Sequence, residues 1–160
     1  GLRRLVTTSV FTLGPTYATG MHMPDHLSMG SKVLHFEVPP GVHVYRSEVP
    51  SSSSFLRNGR IQYIKMHLHP YGQSVELYDE TARKTVWKGM ARNVPGRDVL
   101  AWTDHYGGGG DGLQIYKDHK YQVITTYDNT TRKPVDAMGN LRVYFEGTRP
   151  VSAIRQAPHD

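Results

Sequence analysis

Apolar side chains recur at every second position in short runs along this chain, the period of a strand with one face turned to a core. The clearest run spans residues 62–69, where Ile64, Met66 and Leu68 alternate with Lys65, His67 and His69. Similar runs fall at 4–13, 32–38, 43–49, 74–79, 85–88, 98–103, 121–127 and 140–145. Strong turn chemistry separates them: Pro39-Pro40-Gly41, four serines at 51–54, Asn58-Gly59, Pro95-Gly96, a glycine run from Gly107 to Gly110, and Asp128-Asn129. Asp79 to Lys84 reads as a hairpin turn. No helical period holds over eleven residues. About nine strands and no helix predict an all-β fold, a two-sheet antiparallel β-sandwich of the jelly-roll kind. At 160 residues the chain suits a single domain over 1–160, with an irregular segment at 1–30 that carries the first strand.

Composition narrows the field. Hydrophobic residues make up 38 % and charged residues 21 %, which fits a chain with a buried core rather than a disordered one. No apolar run reaches membrane-spanning length, so no membrane span is expected. No signal peptide is read, and the initial Gly1 suggests a processed protein or an excised fragment. Zero cysteines exclude disulfides and thiolate ligands. The net charge of +5 comes from scattered Lys and Arg rather than one basic face, which argues against nucleic-acid binding. Serines lack a nucleophile elbow, and there is no phosphate loop or dinucleotide fingerprint. Asn129-Thr130-Thr131 matches a glycosylation sequon, and its plainer reading is a turn.

The chemistry lies in the histidines. His67 and His69 share one face of the 62–69 strand, about 6–7 Å apart, close enough to close on one ion. Pro70-Tyr71-Gly72 ends that strand and puts the pair at a sheet rim. Met138 offers a thioether, a soft ligand that selects copper, and Cu(I) in particular. A cupin is the rival for two such histidines, but the next acid, Glu76, lies beyond the strand break. Residues 21–29 add Met21, His22, Met23, His26 and Met29, a candidate secondary copper-handling cluster, and His105 beside the glycines is a candidate extra ligand. His35, His43 and His119 read as structural or surface residues. Asp104 and Asp111 flank the glycines without a recognised calcium-loop spacing.

His67-Leu68-His69, followed far downstream by Asp136-Ala137-Met138-Gly139-Asn140-Leu141 and the aromatic run Arg142-Val143-Tyr144-Phe145, resembles the C-terminal domain of the copper type II, ascorbate-dependent monooxygenases. Peptidylglycine α-hydroxylating monooxygenase and dopamine β-monooxygenase are that family's named members. The resemblance is closest to bacterial copies and covers residues 60–146. It implies a jelly roll with one copper per chain, held by His67, His69 and Met138, at which oxygen and substrate bind. It also implies a periplasmic or extracellular setting. Two departures stand out. The family's electron-feeding copper sits in a preceding domain with an adjacent His pair, which this chain lacks. Where eukaryotic members carry a cysteine beside the ligand methionine, this chain has Gly139. The expectation is therefore a copper-binding half of a monooxygenase, with an electron-donor domain or subunit (a second copper domain or a cytochrome) as partner. A non-enzymatic copper carrier or storage module, and a structural β-sandwich subunit of an extracellular assembly with a stabilising metal, stand beside it. Whether the chain is itself an enzyme, and whether it forms an oligomer, are left open by the sequence.

Overall fold

A computed structural model of the chain describes residues 11–13, 35–49, 58–107 and 110–147. Its twelve strands are β1 Phe11–Leu13, β2 Phe36–Val38, β3 Gly41–Glu48, β4 Gly59–Leu68, β5 Gly72–Asp79, β6 Lys84–Asn93, β7 Leu100–Thr103, β8 His105–Tyr106, β9 Leu113–Ile115, β10 Tyr121–Asn129, β11 Val135–Ala137 and β12 Gly139–Gly147. Among the described residues there is no helix. One five-stranded sheet runs β1-β12-β4-β8, with β9 also pairing β4, and a second runs β3-β10-β5-β6-β7. β11 and β2 form a separate two-stranded ribbon. Every pairing is antiparallel.

The all-β expectation holds, and the alternation holds from Ile64 to Leu68, while a register shift against β12 interrupts it at Gln62. Ile64, Met66 and Leu68 are buried, while Lys65 and His67 are exposed. Their apolar face joins Leu141 and Val143 of β12, with Val75, Leu77, Val123 and Tyr127 of the other sheet, in one core. The two sheets thus bury their apolar faces against each other, as in a sandwich. Strands β8, β9 and β11 were not anticipated. Runs of two or three residues are too short to show a period, and only the pairing partner reveals them. The expected strand at 85–88 runs longer, because β6 pairs with β5 at one end and β7 at the other.

Two loops behave as their side chains dictate. In the turn from Asp79 to Lys84, Asp79 accepts the Ala82 N–H at 2.8 Å through Oδ1 and faces His119 Nδ1 at 2.7 Å through Oδ2. His119 in turn lies against Tyr116, with ring centroids 4.6 Å apart, and reads as structural. The Asn129 sequon is a turn. Its Nδ2 donates to the carbonyls of Val38 and Lys133, and its Oδ1 accepts from the Thr131 N–H and hydroxyl. That amide is buried and committed to its neighbours, and it pins the end of β2 to the loop before β11. Among the described residues no helix is long and apolar enough to cross a membrane.

Candidate metal centre

The rim of the first sheet is built by its hydrogen-bond register. β12 pairs antiparallel with β4, setting Gly139 opposite Leu68 and Asn140 opposite His67. Directly opposed residues share a face. Met138 and His69 are the residues next to that terminal Gly139–Leu68 pair. The ribbon extends the row, because Ala137 pairs with Phe36, so the next step sets Met138 opposite His35. Met138, the residue between β11 and β12, is thus flanked by His69 on one side and His35 on the other. Met138 immediately precedes the Gly139–Leu68 pair, and its backbone shares the Tyr127 hydroxyl with that of His69.

Tyr127 fixes this junction from the opposite sheet. Its hydroxyl accepts the His69 N–H at 2.9 Å and the Met138 N–H at 3.3 Å, and donates to the Met138 carbonyl. A phenol has one donor and two acceptor sites, so all three are used. Burial raises its pKa above the ordinary value, which keeps the donor proton in place.

The turn after His69 is clamped as well. Gly72 N–H donates to the His69 carbonyl at 3.1 Å, closing a four-residue turn with Pro70 second and Tyr71 third. Tyr71 has φ +71°, the left-handed value that the third residue of a type II turn requires and that glycine usually supplies. Asn93 compensates for the strain. Its Oδ1 accepts the Tyr71 N–H at 2.7 Å, and its Nδ2 donates to the Gly72 carbonyl at 2.8 Å. Asn93→Ala should cost about 1–2 kcal/mol, because it strips two partners from a strained, half-buried turn. Urea unfolding of the variant checks this; an unchanged midpoint would show that the turn holds itself.

Asp136 gathers two imidazoles. His35 Nδ1 lies 3.0 Å from Oδ1 and 3.1 Å from Oδ2 of the carboxylate, and His69 Nδ1 lies 2.9 Å from Oδ2. The two rings meet edge-on with centroids 5.2 Å apart, and the His67 and His69 rings likewise at 5.5 Å. Among the described residues, His35, His69 and Asp136 form a group whose donor atoms all lie within 4.8 Å of one another. Sequence reasoning missed two of these. Asp136 was visible only as a letter of the motif, and His35 reads as structural until β2 is known to pair with β11. His105 lies on β8 opposite Lys65, against the Tyr63 ring at 6.0 Å, outside that group. Met21, His22, Met23, His26 and Met29 lie outside the described residues. Asp104 is occupied structurally, accepting from the Met90 N–H and the Trp102 indole.

The His67 imidazole titrates below the ordinary 6.5, because partial burial and then the positive fields of His69, His35, Arg142 and Lys65 disfavour its cation. The neutral ring is the metal-ligating form. Below pH 6.5 the unfolded chain takes a proton at His67 that the folded chain resists. The ion-free protein therefore loses stability as pH falls from 6.5 toward the lower folded value, and this group contributes no slope above that range. His67→Gln should flatten the acid limb of the stability curve in chemical denaturation between pH 4.5 and pH 7 (~0.5-unit steps). An unaltered slope would show that the ring gains no charge penalty on folding.

Comparison with protein-family models, with curated proteins and with solved structures returns no match to this chain.

Proposed function

We propose that this chain is a jelly-roll domain that holds one copper ion at the rim of β4, through His67, His69 and Met138. It serves as the oxygen- and substrate-binding half of a copper-dependent monooxygenase whose electrons arrive from another domain or subunit. The observation that carries this reading is the register. β12 pairs with β4 so that Gly139 lies opposite Leu68 and Asn140 opposite His67, and the Tyr127 hydroxyl bonds the backbones of both His69 and Met138, which supports a shared rim for the three proposed ligands.

The donor chemistry fits. Two neutral imidazoles and a thioether suit Cu(I) better than zinc, iron or magnesium. When bound, copper supplies the one-electron and oxygen chemistry; the protein's part is geometry and electrostatics. Tyr127 holds the backbones of His69 and Met138 at a fixed spacing, and the low His67 pKa keeps a lone pair available at neutral pH. Lys65 pairs with Arg142 directly beside the His67–Asn140 pair, so two cations border the ligands on their exposed face. That border suits a substrate with an anionic group.

The test is copper stoichiometry. The protein is loaded with copper, dialysed against a weak chelator, and analysed for metal per chain, with Met138→Ala in parallel. About one copper per chain is expected, with Cu(I) held about tenfold or more weakly in the variant. Loss of all copper from the wild-type protein would remove the reading. Retained copper without ascorbate-driven oxygen consumption, even beside an electron-donor domain, would leave a carrier or a metal-stabilised structural module.

A further inference from the structure

We propose a second donor set at the same rim: His35, His69 and Asp136 form a two-histidine, one-carboxylate site for a divalent transition-metal ion of the zinc type. This set stands on its own donors and shares only His69 with the copper ligands. It unites three segments that are remote in sequence. His35 precedes β2, His69 follows β4, and Asp136 sits in β11, with His35 and Asp136 101 positions apart.

The distances fit an ion. Donors about 2.0–2.2 Å from one metal, at octahedral to tetrahedral angles, lie roughly 3.0–3.5 Å from each other. The nitrogen–oxygen separations of 2.9, 3.0 and 3.1 Å reach that range with a small widening. Two imidazoles and a carboxylate leave coordination positions open, the pattern of hydrolytic zinc and non-haem iron sites rather than of closed structural zinc. The Asp136 side chain is 58 % exposed, so an ion and its waters have access from solvent.

His69 makes the two sets exclusive. Its Nδ1 faces Asp136, so Nε2 is the nitrogen left for the proposed copper. A neutral imidazole has one lone pair, on one nitrogen at a time. An ion ligated by Nδ1 therefore protonates Nε2 and withdraws His69 from copper. With copper on Nε2, the Nδ1–H donates to Asp136, which then acts as the orienting carboxylate. A divalent ion and Cu(I) should compete for this rim.

Zinc alone is the probe, since it is redox-silent. Zn²⁺ affinity is measured on the full chain by competition with a chromophoric chelator at about pH 7.5. The variants are His35→Gln, Asp136→Asn, His67→Gln and Met138→Leu, each checked for fold by circular dichroism. Expected are one zinc per chain, a loss of about tenfold or more in His35→Gln and in Asp136→Asn, and less than about threefold change in His67→Gln and Met138→Leu. Zinc is also expected to be released on titration with Cu(I). Absence of zinc binding by the wild-type protein would overturn the proposal. So would binding that survives His35→Gln and Asp136→Asn but falls in His67→Gln and Met138→Leu, which would put the ion on the copper ligands. Should the copper test fail while these zinc results hold, the copper reading falls and this site stands.

Discussion

Replacing Tyr127 by Phe is expected to destabilise the protein by about 2–4 kcal/mol and to weaken copper retention by about tenfold or more. The substitution keeps the ring, which lies edge-on to Phe36 with centroids 5.8 Å apart, so the core volume is unchanged. Only the hydroxyl goes. Three backbone groups then lose their partner: the His69 N–H, the Met138 N–H and the Met138 carbonyl. Orphaned groups in a part-buried position carry a desolvation cost larger than an ordinary hydrogen bond returns. The hydroxyl also ties the second sheet to the ends of β4 and β11, so its loss frees His69 and Met138 to move apart. Guanidinium unfolding measures the first effect and copper per chain the second. A stable variant with weakened copper would mean that water replaces the hydroxyl without restoring the spacing. A stable variant with normal copper would show that the register alone holds the rim.

The second large effect is expected at Gly139, where Ala should cost about 1–3 kcal/mol through overpacking. A Cβ built there meets Thr125 at 2.4 Å (Oγ1), 2.5 Å (Cγ2) and 2.9 Å (Cβ), and Thr125 is itself fully buried. The two sheets approach closely at this point, and because no rotamer change moves the Thr125 Cβ, β12 must shift away from β10. Moving β12 displaces Met138, its immediate neighbour. Thr125→Ala removes the two nearest obstacles, so the double variant should recover at least about 1 kcal/mol relative to the sum of the single changes. Strict additivity in that cycle would mean that the strain lies elsewhere.

The strands and the site were legible to different degrees, for physical reasons. Period-two alternation is local, so 62–69 and 121–127 were readable, and the alternation from Ile64 to Leu68 also set the face that carries His67. Pro70-Tyr71-Gly72 gave the rim, although the left-handed Tyr71 and its Asn93 clamp were not foreseeable, since Asn93 lies across a hairpin. Met138 was legible as a compatible donor, but its proximity to the pair depends on the pairing of β12 with β4. His35 was illegible. Nothing near it in sequence distinguishes it from His43, whose Nε2 bonds the Pro40 carbonyl. What separates the two is the three-residue ribbon β2–β11, too short to carry a period.

The order in which the donors leave the ribosome has a consequence of its own. His35, His67 and His69 emerge well before Asp136 and Met138. At ordinary synthesis rates the gap is on the order of 5–10 s. During that interval the paired histidines lack both Met138 and Asp136, and β4 lacks β12, its longest partner. The rim also closes loops spanning up to 101 positions, contacts that form slowly because they depend on distant partners. Both proposed donor sets are therefore complete only once β11 and β12 have joined the fold. On the proposed reading, copper would have to be delivered late, or zinc kept away, until β12 has docked on β4.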